Sequence, residues 1–125
     1  MNSNRNPVGW FEIYVQDMNR AKTFYEKTFQ VTLEHLESPG LEMWAFPPKH
    51  GTPGCAGALV KMEGKDSGVG GTILYFVCED CSVEAAQAVE NGGKIQREKF
   101  SIGEYGFIAL VLDTEGNMIG LHSMK

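Results

Sequence analysis

One pattern of elements occurs twice along the chain, and the second copy is displaced by half the length of the sequence. In the first copy, apolar and aromatic residues alternate over Val8–Val15, Asp17 is a helix-capping residue, and apolar residues recur at helical spacing over 18–29. The corresponding segments of the second copy are a strand at Gly71–Cys78, a cap at Asp80, a helix at Val83–Glu90 and a left-handed stop at Asn91-Gly92-Gly93. The sequence therefore predicts an internal duplication.

Three short extended runs follow each predicted helix and are separated by turn-forming residues. They are Val31–Glu37, Leu41–Phe46 and Gly57–Met62 in the first copy, and Lys94–Phe100, Phe107–Asp113 and Asn117–Ser123 in the second. Since one β-α-β-β-β unit cannot bury both its helix and its sheet face alone, the two should associate side by side. We expect an α+β fold in which modules at about 7–62 and 70–124 form an open, curved mixed sheet within one domain, residues 1–125. The linker 63–70 is rich in Gly and charge and should be flexible, which also permits exchange of modules between subunits.

Charge and cysteine content restrict the partners and the compartment of the protein. With 11 Lys and Arg against 16 Asp and Glu, the chain lacks the cationic surface that phosphate binding needs, so we expect no nucleic acid partner. The apolar runs fall far short of the ~20 residues of a bilayer span, and we expect no membrane association. Three cysteines and the absence of a secretory leader indicate the cytoplasm. Cys78 and Cys81 have C-x-x-C spacing, which leaves a redox and a structural role open.

Strand alternation separates the residues beneath the helices from those on the opposite face, called here the open face. The residues predicted to pack beneath the helices are Phe11, Ile13, Val15, Leu74, Phe76, Cys78, Ile119 and Leu121. Those predicted on the open face are Trp10, Glu12 and Tyr14 in the first module, and Ile73, Tyr75, Val77, Met118, Gly120 and His122 in the second. Large aromatics with a few polar groups are typical of a small-molecule cleft, although the same face is also suited to packing against another module or subunit.

Two motifs carry a family resemblance. The D-x-x-R-A-x-x-F-Y run at Asp17–Tyr25 and the D-T-E-G-N-M-I-G-L-H-S run at Asp113–Ser123, together with the duplication, resemble the vicinal oxygen chelate superfamily over about residues 7–124. That superfamily includes glyoxalase I, bleomycin-resistance proteins and extradiol dioxygenases. The Gly92-Gly93-Lys94 turn and the stretch Ile102–Ala109 look like a bacterial subgroup related to lactoylglutathione lyase. The resemblance implies the glyoxalase/bleomycin-resistance-like fold.

In metal-dependent members of the family, each half supplies a His from its first strand and a Glu from its last. The resemblance places the two His positions at Trp10 and Ile73, and the two Glu positions at Gly57 and Gly120. None of these side chains can coordinate a divalent cation, so we expect no metal and no other cofactor. The two glycines either widen the floor of the cleft or permit close strand packing. Three nearby residues leave a rearranged site open: Glu12, Glu63 and His122.

Three hypotheses for function follow. The first is a homodimeric protein that binds a small organic molecule in an aromatic cleft without a metal. The ligand-contacting residues would be Trp10, Tyr14, Trp44, Tyr75, Tyr105 and Met118. The second is a lyase or isomerase of the glyoxalase type, in which Glu12 and His122 serve as catalytic acid and base, or a rearranged site holds a metal. The third is an interaction domain that uses the same face only to dimerise.

Overall fold

The computed structural model describes residues 10–49, 51–70 and 73–125, with the side chain of Tyr105 excepted. Within these residues lie two α-helices and eight strands. The first module comprises β1 (Trp10–Tyr14), α1 (Met18–Phe29), β2 (Glu34–Leu36), β3 (Glu42–Ala45) and β4 (Ala56–Lys61). The second comprises β5 (Tyr75–Val77), α2 (Cys81–Glu90), β6 (Lys94–Ser101), β7 (Phe107–Leu112) and β8 (Met118–Ser123), with a 3-10 helix at Gly103–Tyr105. Neither described α-helix is long and apolar enough to cross a bilayer.

The strands form two mixed four-stranded sheets with the same topology. Their orders are β1-β4-β3-β2 and β5-β8-β7-β6. In each module the first strand pairs in parallel with the last, and the remaining pairs are antiparallel. The predicted α+β fold is confirmed, with the same β-α-β-β-β order in both halves.

Both helices begin where the aspartates predict. Asp17 accepts a 3.1 Å hydrogen bond from the backbone N–H of Arg20, and Asp80 accepts one of 3.0 Å from that of Ser82. These bonds satisfy N–H groups that have no partner within the helix. The second helix begins at Cys81, directly after its cap Asp80, and therefore two residues before the predicted Val83. It is followed by Gly92 in the left-handed conformation, as predicted.

Two of the edge strands, β2 and β5, are shorter than predicted. Of the run Val31–Glu37, only Glu34–Leu36 forms a strand, because Leu33 turns into the core and its backbone N–H binds the Glu26 carboxylate at 2.8 Å. β5 likewise retains only three residues, and each of these strands has a neighbour on one side only. The predicted strand residues Val8, Gly9, Gly71 and Thr72 lie outside the described part of the chain.

An aromatic core joins the two modules. The ring of Phe76, from β5, stacks on Phe29 with centroids 4.6 Å apart and meets the edge of Phe11 at 6.0 Å. Every residue predicted to pack beneath the helices belongs to this core or packs against it. The predicted alternation of β1, β5 and β8 is therefore confirmed, and it leaves Trp10, Glu12 and Tyr14 on the open face.

The buried carboxylate of Glu115, in the turn between β7 and β8, forms a second connection between the modules. One oxygen accepts the backbone N–H groups of Gln16 and Asp17, each at 3.0 Å, and the other accepts Nε of Arg20 at 2.7 Å. Arg20 Nη2 and Thr114 Oγ1 complete the set of donors. We call this set the Glu115 network. It ties the start of α1 to the second module, so the two sequence motifs meet in space.

Further hydrogen bonds fix the relative position of the modules and the path of the linker. Tyr25 donates to Asp113 at 2.6 Å, and the side-chain amide of Asn117 donates to the carbonyl of Tyr14 at 3.0 Å. In the linker, Ser67 donates to the carbonyl of Glu115 and the backbone N–H of Gly68 donates to Asn117. The end of the linker is therefore held against the β7–β8 turn, although its composition predicts flexibility.

Candidate ligand-binding site

A cleft of about 570 Å³ lies between the two modules along β1. β1 contributes the open-face side chains of Trp10, Glu12 and Tyr14 to its wall, and the second module contributes Leu74 and Met118. The linker contributes residues Asp66, Gly68 and Gly70. Four of the predicted site residues, Trp10, Glu12, Tyr14 and Met118, are thus brought together in one cleft.

Glu12 lies at the centre of a hydrogen-bonded group on β1. Its carboxylate accepts the indole N–H of Trp10 at 3.2 Å and the hydroxyl of Tyr14 at 2.8 Å. The three residues alternate along one strand, so their side chains project from the same face and reach each other without rearrangement. Trp10 remains 43% exposed, and Glu12 is also exposed. The group presents an aromatic surface beside a fixed carboxylate.

The cleft is acidic. The hydrogen bond to the Glu12 carboxylate raises the pKa of Tyr14, and partial burial and the charge of Glu12 act in the same direction. Tyr14 therefore stays a neutral hydroxyl at neutral pH and does not add a charge of its own. Glu12 and Asp66 are the charged side chains among the described residues that line the cleft, and both are carboxylates.

Tyr75 and His122 lie in a different depression, of about 320 Å³, on the open face of the second sheet. It is lined by Tyr75, Val77, Ile102, Ile108 and His122. Val77 pairs directly with His122, so the two side chains project from the same face. Glu12 and His122 line separate depressions, and the structure does not assemble them into the catalytic pair that the enzyme hypothesis requires.

Trp44 lies on the helix side of the first sheet rather than in the cleft. Lys22 of α1 places its ammonium 3.3 Å from the centre of the Trp44 ring, and His35 packs against the same ring at 5.1 Å. On β3 the open face is instead occupied by Met43 and Ala45, which pack with Val60. Tyr105 ends the 3-10 helix, and its side chain lies outside the described part of the structure.

The structure corrects one of the positions assigned from the resemblance. In the second module, Gly120 pairs with Tyr75, on the open face. The residue in the same place in the first module is Ala58, which pairs with Glu12, whereas Gly57 pairs with Phe11 on the helix side. Counting along the sequence misplaces this position by one residue, which transfers the side chain to the other face. Gly57 therefore permits close packing against Phe11, whose ring a Cβ would overlap.

The family's metal does not fit this set of residues. The corrected positions offer an indole, an alkyl side chain, a methyl group and a glycine hydrogen, none of which donates an electron pair to a divalent cation. A Cβ at Gly120 would also overlap the ring of Tyr75, so that ring occupies the space where a longer side chain would begin. Across the described residues, His, Cys, Asp and Glu form no group of three or more that could hold a metal ion.

Cys78 is poorly suited to redox chemistry. Burial raises the pKa of its thiol to about 12, and the neighbouring Glu84 carboxylate acts in the same direction. Because the thiolate is the reactive species, Cys78 is almost wholly unreactive at neutral pH. Cys81 is buried at the start of α2, where its backbone N–H donates to Ser123. The geometry favours the structural role for the C-x-x-C pair.

Sequence reasoning did not identify Leu74, Asp66 or Asn117 as cleft residues. Leu74, like Phe11, Ile13 and Ile119, is a helix-side residue that also lines the cleft, since the cleft runs along the boundary between the modules. Asp66 lies in the linker, whose path is fixed by hydrogen bonds to residues about fifty positions away. The polar residue Asn117 was visible beside the D-T-E-G motif, but its contact with Tyr14 depends on how the modules meet.

The fold and the cleft define a duplicated βαβββ protein with an open site between its modules. The family profile of the Glyoxalase/Bleomycin resistance protein/Dioxygenase superfamily matches residues 8–121. The chain therefore belongs to this superfamily, and the resemblance seen in its motifs is confirmed. A search of curated proteins returns no match.

Solved structures share the fold at low sequence identity. A glyoxalase-related enzyme from Fulvimarina pelagi superposes with a TM-score of 0.71 at 15% identity, covering 93% of this chain and 86% of that one. TnmS3, an antibiotic binding protein from Streptomyces sp. CB03234, gives 0.68 at 24% identity and covers 98% of both chains. A glyoxalase I mutant from Zea mays gives 0.69 at 20% identity, covering 94% of this chain and 47% of that one. These similarities establish the fold.

Proposed function

We propose that the protein binds a small organic molecule in the cleft along β1, without a metal. The observation that carries the proposal is the group formed by Trp10, Glu12 and Tyr14, in which a half-exposed indole lies beside a carboxylate held by two neutral donors. Such an apolar surface with a few fixed polar groups is the usual composition of a ligand site. The cleft of about 570 Å³ is large enough for a drug-sized molecule.

Two further observations support binding over catalysis. TnmS3, which shares the fold along its whole length, is described as an antibiotic binding protein. In this chain, the positions that supply metal ligands in metal-dependent members of the family carry side chains that cannot coordinate a cation. In addition, Glu12 and His122 line separate depressions. The enzyme hypothesis therefore gains no support from a specific contact in this structure.

A thermal-shift screen tests the proposal. The library contains aromatic antibiotics and aldehyde–thiol adducts, and each hit is followed by calorimetry, since a ligand that binds only the native state raises the melting temperature. We expect Trp10→Ala to weaken binding of a hit by about tenfold, as for the loss of an aromatic anchor. Trp44→Ala, which removes the same side chain outside the cleft, should change affinity by less than about twofold. No shift across the library, or equal losses in both variants, would contradict the proposal.

We also propose that the protein is a homodimer that uses the open face of the second sheet. This face exposes Tyr75, Val77 and Ile102, and Val77 is 88% exposed. β5, which carries Val77, lies at the edge of its sheet, a position from which a strand can pair with another chain. A second copy of the chain would cover these apolar side chains and pair with the edge strand. Light scattering should give a dimer for the unmodified chain and for Val83→Lys, a control on α2, and a monomer for Val77→Lys.

We infer that the two modules fold as one domain in a reducing compartment, the cytoplasm. The stacking of Phe29 on Phe76 and the Glu115 network both cross between the modules, so unfolding should occur in one cooperative transition. The three cysteines, of which Cys55 is exposed, are free thiols. Two separate unfolding transitions would contradict the single domain, and isolation of the native protein with Cys55 in a disulfide would contradict the compartment.

A further inference from the structure

The charged side chains among the described residues that line the cleft along β1 have one sign. Its described lining residues include the carboxylates of Glu12 and Asp66 but no Lys, Arg or His. The groups that bind Glu12, the indole N–H of Trp10 and the hydroxyl of Tyr14, are neutral donors, so they orient the carboxylate without cancelling its charge. A ligand in the cleft therefore meets the negative charge of Glu12 with no cation among the described lining residues, whereas Asp66 also lines a neighbouring depression that contains Lys61 and Lys65.

Glu12 retains the capacity to bind a ligand. Its oxygens offer about four acceptor positions, and the two hydrogen bonds from Trp10 and Tyr14 use two of them. The carboxylate is exposed, so the remaining positions are accessible from the cleft. A cationic donor placed there would form a charge-assisted hydrogen bond, which is stronger than the bonds it would join.

Trp10 adds a second feature that favours positive charge. The residue is 43% exposed, and its indole N–H donates to Glu12, which holds the ring beside the carboxylate. The indole face is the aromatic surface that attracts cations most strongly. A flat cation stacked on Trp10 would therefore interact with the ring and with Glu12 at the same time.

We propose that the cleft selects flat aromatic ligands that carry a positive charge, such as an amine or an N-alkylated ring nitrogen, over neutral and anionic analogues of the same shape. This inference rests on the proposed function and names the chemical class of its ligand. Glu12 supplies the charge recognition, Trp10 the stacking surface, and Asp66 a second negative charge at the linker side of the cleft.

Three probes of similar shape test the selectivity: N-methylacridinium, which is permanently cationic, acridine, which is neutral at about pH 8, and anthraquinone-2-sulfonate, which is anionic. Calorimetry should show N-methylacridinium binding about fivefold more tightly than acridine, from the combined ring and carboxylate interactions, with the sulfonate weakest. The preference should decline as salt is raised, because charges at an exposed site are screened.

Variants assign the selectivity to its residues. Glu12→Gln keeps an acceptor for the Trp10 or Tyr14 donor and should reduce the preference for the cation below about twofold. Asp66→Asn should reduce it by a smaller factor, and Glu37→Gln, whose side chain is 95% exposed outside the cleft, should leave it unchanged. Circular dichroism confirms that each variant is folded.

The outcomes separate this inference from the proposed function. Tighter binding of acridine or the sulfonate, or a cation preference that survives Glu12→Gln, overturns the inference while binding in the cleft stands. Binding of neutral library members without binding of N-methylacridinium also overturns it. Failure of all three probes together with the whole thermal-shift library overturns the proposed function itself.

Discussion

Replacement of Glu115 by glutamine tests how the two modules are held together. The side chain is fully buried, and its two oxygens accept five hydrogen bonds from Gln16, Asp17, Arg20 and Thr114. Glutamine has nearly the same shape, but one of its two terminal groups is an amide donor. In Glu115→Gln, the amide NH₂ group replaces one carboxylate oxygen, so the N–H or O–H groups that this oxygen accepted now face another donor. Arg20 also loses its carboxylate partner.

The expected loss of stability follows from the pKa of Glu115. Burial alone would raise this pKa, but the hydrogen bonds from Arg20, Thr114 and the backbone outweigh it and lower the pKa from 4.5 to about 2. A difference of this size corresponds to about 3 kcal/mol in favour of the folded, ionised state. The loss of an acceptor for the part-buried backbone N–H groups of Gln16 and Asp17 has a cost of about 1 to 3 kcal/mol, and the Arg20 side chain, which is 51% exposed, is solvated in the variant.

Urea denaturation followed by circular dichroism measures the effect. Because the folded-state pKa lies below the unfolded one, the stabilisation is complete above about pH 5 and is lost as the pH falls toward 2. We expect the variant to be about 3 kcal/mol less stable at pH 7 and only about 1.5 kcal/mol less stable at pH 3.

The matched control is Glu37→Gln, at an exposed carboxylate that is 95% accessible, which should change stability by less than about 0.5 kcal/mol. A loss below about 1 kcal/mol for Glu115→Gln at pH 7 would refute the assigned role of the network. So would a loss that does not depend on pH.

Two further predictions follow from individual positions. Gly120→Ala should destabilise the protein by about 1 to 3 kcal/mol in thermal or urea unfolding, because its Cβ would overlap the Tyr75 ring. Gly70→Ala is the control and should be nearly neutral, because a Cβ there meets open space. Equal effects of the two substitutions would contradict the packing of Gly120 against Tyr75. Iodoacetamide at about pH 8 should modify exposed Cys55 well before Cys78, because burial raises the pKa of the Cys78 thiol to about 12. Peptide mass spectrometry measures the two rates, and equal rates would contradict the burial of Cys78.

The features that sequence reasoning placed correctly depend on local geometry. The faces of β1 follow from alternation along a single strand, so Ile13 and Val15 are buried and Glu12 is exposed, as predicted. The helix caps Asp17 and Asp80 bind the backbone within three residues, and the side-chain chemistry alone identifies them. No knowledge of the rest of the fold is needed for either.

The features that sequence reasoning missed depend on the register between strands and on contacts between modules. The pairing of Ala58 rather than Gly57 with Glu12 reflects a difference of one residue between the two copies, which the sequence repeat does not reveal. The separation of Glu12 from His122 depends on how the modules pack. That packing is fixed by contacts such as Arg20 with Glu115, which are 95 residues apart in the chain.

The two motifs that identify the family have a structural explanation. Arg20 and Tyr25 of the first motif bind Glu115 and Asp113 of the second, at the boundary between the modules. Their side chains hold the modules in the arrangement that creates the cleft. Of the residues that would contact a ligand, Met118 belongs to the second motif, whereas Trp10, Glu12 and Tyr14 lie on β1 outside both motifs. The motifs therefore report the fold more than the ligand.

The indole signals of the two tryptophans give the most direct measurement of where a ligand binds. In a ¹H–¹⁵N correlation spectrum, the indole N–H of Trp10 reports on the cleft, and that of Trp44, on the opposite side of the first sheet, is an internal reference. Titration with a hit from the thermal-shift screen, in the presence of a chelator, should shift the Trp10 signal to saturation and leave the Trp44 signal in place. A shift of Trp44 alone, or of neither indole at saturating ligand, would contradict a metal-independent site between the modules.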